Sequence, residues 1–308
     1  MEAAPRTRLE RVRDSELWYS FTHSPVAMGA FVVTLIMVGA AVFAPLVAPH
    51  SPFDLSSVSL LDSLLPPAWA EGGDPRFLLG TDDQGRDVFS TILYGGRISL
   101  AVGFFSVILA ALIGILIGLV AGYAGGWLDT VLMRIADIQL SFPAILIALL
   151  IDGVARGVMP RETHDQLAIY VLILAIGLSF WVQYARTVRG SVMVEKSKEY
   201  VQAAQVIGLP DWLILWRHVL PNVMGPVLVI ATIQLALAII IEATLSFLGV
   251  GVPPTSPSLG TLIRIGNEFL FAGEWWITIF PGVALVVLVL AVNLLGDWLR
   301  DALNPKLR

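Results

Sequence analysis

Uncharged apolar runs of bilayer length recur along this chain, separated by stretches rich in Pro, Gly, Asp and Arg. The first run, Val26–Ala48, is 23 residues long and carries no charge. As a helix rising about 1.5 Å per residue it reaches ~34 Å, enough to cross a hydrocarbon layer of ~30 Å. Ile98–Gly122, Leu167–Ala185 and Trp275–Gly296 read the same way, and Val223–Ile241 is uncharged up to Glu242 and is expected to continue to about Gly249. Ile138–Ile151 has only 14 residues. That is about 21 Å of helix, so a crossing there must extend back through Asp137 and Arg134, whose i, i+3 spacing lets them pair near the interface. Six spans are therefore expected, in an all-α membrane protein.

Composition agrees. The chain has 308 residues, 56% hydrophobic and 14% charged, with a mean hydropathy of +0.80. A soluble domain carries roughly 25% charge. The absence of cysteine excludes disulfides, thiolate metal sites and a cysteine nucleophile. A net charge of -5 offers no basic face to nucleic acid, and the four histidines (His23, His50, His164, His218) are too scattered to suggest a metal site. Arg6, Arg8, Arg11 and Arg13 precede the first run as in a signal peptide, but that run outlasts the ~7–15-residue apolar core of one and reads as a retained span.

Loop charge sets the expected orientation, because Lys and Arg concentrate on the cytoplasmic side. With the N-terminus inside, 13 of the 19 Lys and Arg fall inside, among them Arg186, Arg189, Lys196, Lys198 and Arg217, and both termini are cytoplasmic. The chain then divides into a tail (1–25), a first span (26–48), an extracytoplasmic loop (49–97), a five-helix core (98–300) with an inner loop at 186–222, and a C-terminal tail (301–308). Trp127, Trp275, Trp276 and Trp298 lie near span ends, where interfacial tryptophans gather.

The inner loop carries the richest local pattern. Ser197 is placed to cap a helix, and Glu199 in its first turn suits the positive end. Tyr200, Ala203, Ala204 and Ile207 then recur at i, i+3, i+4, i+7 as one apolar face, two of whose members are small enough for close approach by another surface. Gly208 and Pro210 mark the stop. A second short helix is expected from Asp211, with Trp212, Leu215, Trp216 and Val219 on one side, before Pro221 opens the fifth span. On spacing alone, an amphipathic helix lying on the membrane surface is the better fit.

Elsewhere, Gly114, Gly118 and Gly122 form two overlapping G-x-x-x-G steps, which let helix backbones touch. Asp82, Asp83 and Asp87 lack the alternating spacing of a calcium loop and read as a hydrogen-bonded turn clamped by Arg86. Glu242 lies 20 residues beyond Asn222. That is about 30 Å along a helix and near the outer interface. A structural bonding role is expected there, with a gate or substrate contact as the lesser reading. Thr232 and Gln234 are better placed to line a polar path. No G-x-x-x-x-G-K-[ST] motif occurs, so the chain has no phosphate-cradling loop.

Read together, these segments resemble the C-type permease subunits of dipeptide, oligopeptide and nickel ABC importers. The inner loop matches the EAA segment through Glu199, Tyr200, Val201, Ala203, Ala204 and Gly208, then through Arg217, His218, Leu220, Pro221 and Asn222. Gln202 replaces the usual glutamate before the two alanines, which removes a charge but keeps the docking shape. The outer loop matches G-T-D-x-x-G-R-D through Gly80, Thr81, Asp82, Gly85, Arg86 and Asp87. Tyr94–Leu100, Gly122–Trp127, Glu242–Gly249, Asn293–Asp297 and Leu299–Arg308 follow in order, so the resemblance covers nearly the whole chain.

The resemblance implies a bundle like that of type I ABC importer permeases in the bacterial inner membrane. It also implies a heterodimer with a second permease, two cytosolic ATPase subunits that hold the ATP and Mg, and an external substrate-binding protein. No catalytic residue or cofactor is expected in this chain itself. Peptides are the expected cargo, with nickel chelates, opines and glutathione-like solutes as alternatives. The rival from another class is an ion-coupled secondary transporter, which needs inverted repeats, broken helices or midplane ionisable groups. A membrane-embedded enzyme would need a convergent catalytic set.

Overall fold

The structure is a computed structural model and describes residues 16–53 and 58–303. The N-terminal arginines and the Asn304–Arg308 motif lie outside the described residues. Helices α1 (Glu16–Thr22), α2 (Pro25–Val42) and α3 (Ala44–Val47) lead to a loop, then to α4 (Val88–Ala124), α5 (Gly126–Leu140), α6 (Ala144–Val158) and α7 (Arg161–Glu195). Helices α8 (Glu199–Val206) and α9 (Asp211–Ile214) precede α10 (Leu220–Phe247), α11 (Leu259–Phe269) and α12 (Trp276–Leu303). Among the described residues the only β pairing is an isolated bridge between Thr81 and Asp87.

The expected spans lie within α2, α4, α7, α10 and α12, all five long and apolar enough to cross a membrane. The weak third span differs from expectation. It is two helices, α5 and α6, meeting at 90°. Pro143 sits at the break and has no N–H to continue the helix of α5. Asp137 pairs with Arg186 of α7 rather than with Arg134, and Arg189 holds Asp129 at 2.5 Å. Both acids thus tie the tilted α5 to α7 across the bundle.

Helices α4 and α7, of 37 and 35 residues, form the central pair and run parallel to one another. The glycine row is their seam. A methyl group at Gly114 would sit 2.4 Å from the Trp181 carbonyl oxygen and the Tyr184 Cβ, at Gly118 2.6 Å from the Ala185 carbonyl oxygen, and at Gly122 2.8 Å from the Val192 Cβ. The buried residues Leu172, Ile176, Tyr184, Val188 and Val192 pack along this contact. Helix α2 lies on the outside of α4 and α12 and buries only Ala27, Ala30 and Ala41. Ser24 caps it by accepting from the Ala27 amide at 3.3 Å, ahead of Pro25 at the first turn.

Helix α11 was not expected. Its 11 residues include Arg264, Asn267 and Glu268, too short and polar for a span, yet it packs between α10 and α12. Gly260 and Gly266 allow this, since a methyl at either would lie within 2.6 Å of backbone atoms of Ala243 or Ile277. The predicted separate helix from Asp211 is instead continuous with α10 through a wide π turn at Leu215–Val219.

Candidate functional site

The two ends of the bundle are built differently, and α4 connects them over roughly 55 Å. At its start lies a cap formed by residues 48–53 and 58–87. Asp87 caps α4, accepting from the Ser90 amide at 2.9 Å and the Ser90 hydroxyl at 2.5 Å. The loop thus ends at Asp87, ten residues before the expected bound at Arg97. Asp82 accepts from the Gln84 and Arg86 amides, both at 2.9 Å, and from Arg86 Nε at 2.7 Å. Thr81 donates to the Asp62 carbonyl at 2.5 Å and accepts from the Leu65 amide at 2.8 Å, while its own carbonyl accepts from Trp276 Nε1 at 3.1 Å. Trp276 is therefore buried and pins the cap to α12. Gly80 and Gly85, at φ +82° and +77°, have backbone carbonyls of Leu65 and Ser59 where a side chain would go. The G-T-D-x-x-G-R-D segment is a fixed turn.

The opposite end holds the segment between α7 and α10. Helix α7 runs on to Glu195, so the loop begins at Lys196, ten residues later than expected. Lys198 rather than Ser197 occupies the cap position of α8, and the Ser197 hydroxyl donates back to the Val194 carbonyl at 2.8 Å. At the far end of α8, Gly208 adopts φ +82° and the Leu209 amide reaches the Ala204 carbonyl at 3.1 Å. This is the left-handed stop that glycine favours.

Two tyrosines hold α8 in place. Tyr123, at the end of α4, donates to Asp211 at 2.7 Å and accepts from Gln205 at 3.2 Å. The Lys196 ammonium donates to the Tyr123 carbonyl at 2.5 Å and lies over its ring. Tyr200 donates to the Glu195 carboxylate, and Asn222 donates to Tyr200 at 3.1 Å and to the His218 carbonyl at 2.7 Å. Burial first, and then the Glu195 bond, pushes the Tyr200 phenol up to about 12. Gln202 turns its amide to the Ser197 carbonyl at 3.2 Å.

The expected apolar face of α8 is split. Val201 and Ala204 are buried, whereas Tyr200, Ala203 and Ile207 face outward. Val206 and Ile207 are 87% and 76% exposed, and Trp212 and Trp216 extend the same uncovered surface while Ile214 and Val219 turn inward. Glu199, Arg217 and Pro221 are exposed around it, and His218 is half-buried. Sequence reasoning did not single out Val206, or Tyr123 as an anchor. Val206 falls outside the i, i+3, i+4, i+7 pattern, and Tyr123 lies 77 residues before Tyr200 in sequence.

Beside α8 a cavity of about 680 Å³ opens between α7, α10 and α12, with Thr187, Ser191, Glu195, Asn222, Pro226 and Arg300 on its walls. Thr232 and Gln234 do not line it. Thr232 packs against Gly296 of α12, and Gln234 is buried within the subunit. Glu242 is fully buried and accepts from the Ser246 hydroxyl at 2.7 Å, with Ser99 of α4 and Ser258, the cap of α11, beside it. It thus joins three elements near the cap.

Comparison with known proteins fits this architecture. Residues 114–308 match the family described as binding-protein-dependent transport system inner membrane component, and residues 15–67 match the N-terminal transmembrane domain of oligopeptide transport permease C. The chain is 39% identical over 305 residues to the dipeptide transport system permease protein DppC of Haemophilus influenzae, covering 99% of this chain and 97% of that protein. It is 40% identical over 294 residues to the di/tripeptide permease DppC of Pseudomonas aeruginosa, covering 95% and 92%. Among solved structures, the inward-facing MetNI methionine ABC transporter matches with a TM-score of 0.54 at 21% identity, over 70% of this chain and 96% of that one. The shared fold is that of a type I ABC importer permease. The chain belongs to the binding-protein-dependent transport system inner membrane component family.

Proposed function

We propose that this chain is one of two permease subunits in an ATP-driven importer of peptides, and that α8 is where a separate ATPase subunit docks. The observation that carries the proposal is the exposure of Val206, Ile207, Trp212 and Trp216 along the segment from α8 to the π turn, a segment that Tyr123 and Tyr200 tie to the rest of the chain. Contiguous exposed apolar surface marks an interaction site. The relatives named for dipeptide transport supply the cargo class. In this reading the α8 end and both termini are cytoplasmic, in line with the Lys and Arg bias, and the cap faces outward to a binding protein.

The mechanism is alternating access. ATP and Mg sit in the two ATPase subunits, and none is held here. Closure of the ATPase pair moves α8, and the Tyr123–Asp211 and Tyr200–Glu195 bonds carry that movement into α4 and α7. The cavity beside Asn222 is the inner end of the path. Transport couples to hydrolysis only if the α8 contact differs in free energy between the two states.

The test is to isolate the chain under mild detergent from its native membrane and identify its companions by mass spectrometry. Two ATPases, a second permease and a binding protein are expected. Recovery of the chain alone after cross-linking, with uptake that survives ATP depletion and collapses with a proton uncoupler, would replace this reading by ion-coupled transport.

A further inference from the structure

A groove of about 550 Å³ opens where the peripheral helix α2 meets the bundle. Val38 and Val42 of α2, Leu100, Phe104 and Phe105 of α4, and Leu235 of α10 line it, and its one charged lining group is Arg97 of α4. Two glycines show how deep it runs. A methyl group at Gly96 would meet the Ala41 Cβ at 3.8 Å, which sets Arg97 level with the Ala41–Val42 end of α2. A methyl group at Gly103 would meet the Leu235 Cδ1 at 3.6 Å. Between these two levels α4 rises about 10 Å, less than the ~15 Å depth of one hydrocarbon leaflet. Arg97 immediately precedes Ile98–Gly122, the uncharged run of α4, so its guanidinium stands where lipid headgroups lie. It is exposed, and among the described residues it has neither a hydrogen-bond nor an ion-pair partner. Helix α2 buries only three alanines and leaves Val32, Leu35 and Ile36 exposed, so the groove lies at the lipid-facing edge of the subunit.

We propose that this groove holds one anionic phospholipid of the cap-side leaflet, with its phosphate on Arg97 and an acyl chain along Leu100, Phe104 and Phe105. A guanidinium grips a phosphate through two N–H donors at once, a geometry that suits arginine better than any other side chain. A headgroup with net negative charge neutralises Arg97 fully, which gives it an advantage over a zwitterionic one bearing the same phosphate. A lipid also satisfies both halves of the groove in the order in which they occur, an anion at the interface and flexible hydrocarbon below it. The proposal needs only that the chain spans a membrane, so it stands or falls apart from the importer reading.

The test uses the protein isolated with its companion subunits and placed in phosphatidylcholine nanodiscs. These contain a small share of phosphatidylglycerol with a photoactivatable diazirine in its acyl chain, and a matched sample carries the diazirine on phosphatidylcholine instead. Adducts are located by peptide mass spectrometry, with those at exposed Leu35 of α2 as the reference for a folded, lipid-facing helix. Wild type is expected to show adducts at Val38, Phe104 or Phe105 that favour the anionic lipid about five-fold, the scale on which one arginine at a membrane surface acts. Arg97→Gln should bring the two lipids to equal yield there, and Arg97→Lys should keep a preference for the anionic one. Equal yield from both lipids in wild type leaves only unselective boundary lipid and overturns the proposal. A preference that survives Arg97→Gln overturns it too, since the phosphate then sits elsewhere. Leu35 adducts without any in the groove would show that a protein, such as a second permease, covers it, and would replace the lipid by that partner.

Discussion

The cap and the α8 end are both polar loop regions by composition, yet they solve their surfaces in opposite ways. In the cap, Thr81, Asp82, Asp87 and Trp276 are buried and bonded to one another's elements, so the loop is a rigid lid built from the chain's own groups. At the other end Tyr123, Tyr200 and Asn222 tie the backbone down, but the apolar side chains Val206, Ile207, Trp212 and Trp216 are left outside. A region that finishes its own core stabilises the subunit. One that anchors its backbone and uncovers its hydrophobic residues is waiting for another surface. The stability of the cap should therefore depend on this chain alone, and that of the α8 surface on a partner.

That contrast can be broken most severely at Asp82. Asp82→Asn leaves the buried Arg86 guanidinium without its counter-ion and should cost about 3–5 kcal/mol, as for other buried pairs that lose one member. The expected readout in the isolated chain is a lowered thermal midpoint, with early proteolysis between residues 58 and 87. A cap that stays resistant would mean the clamp contributes little.

At the other end, Val206→Ser combined with Ile207→Ser should change the chain's own stability by no more than about 0.5 kcal/mol, as exposed substitutions do. The same pair should weaken ATPase association by about 2 kcal/mol or more, the scale of interface anchors. A destabilised monomer with unchanged association would reverse the comparison. Gly208→Arg places a bulky cation at φ +82° at the end of α8. Peptide uptake should fall more than about ten-fold, within the range of coupling energies between sites, while the subunit stays assembled. Full uptake would remove α8 as the lever.

The smallest effect sharpens the account at one bond. Tyr200 is held neutral in the fold, with its pKa raised to about 12 by burial and the Glu195 bond. A raised pKa means the stabilising contribution is whole below the unfolded value of about 10 and is lost as pH climbs through the folded value. Phenolate absorbance, compared between wild type and Tyr200→Phe, should show one tyrosine titrating near pH 12. One that titrates near 10 would show that Tyr200 is not so held. Tyr200→Phe itself should cost about 1 kcal/mol, a typical net hydrogen bond.

Much of the bundle was legible because a spanning helix needs a long uncharged run, and five such runs stand out. The Gly114–Gly118–Gly122 row was legible as a packing face because only backbone-to-backbone approach rewards repeated loss of side chains. A turn clamped by Arg86 was legible in the cluster of Asp82, Asp83 and Asp87, though not that Asp82 is the partner. Three features were hidden for physical reasons. The α5–α6 bend depends on Asp129 and Asp137 finding Arg189 and Arg186 some 49 to 60 residues away, which no local pattern records. Helix α11 depends on close approach at Gly260 and Gly266 and on Leu259 and Leu262 packing with Ile239 of α10 and Leu288 of α12, contacts distant in sequence. The split of α8 arises because apolar residues occupy both of its faces and only one of them packs inside. Val201 and Ala204 pack against this chain while the equally apolar Val206 and Ile207 are exposed, so periodicity alone cannot tell inside from outside.

The most direct measurement uses the absence of cysteine from this chain. Ile207→Cys would be its sole thiol, and a short thiol-reactive photo-cross-linker attached there in native membranes would capture whatever covers α8. The account predicts one dominant adduct, an ATPase subunit, whose yield changes between ATP-bound and nucleotide-free membranes. Adducts to lipid alone, in both nucleotide states, would show that α8 lies on the membrane surface and would contradict the docking role at the centre of the account.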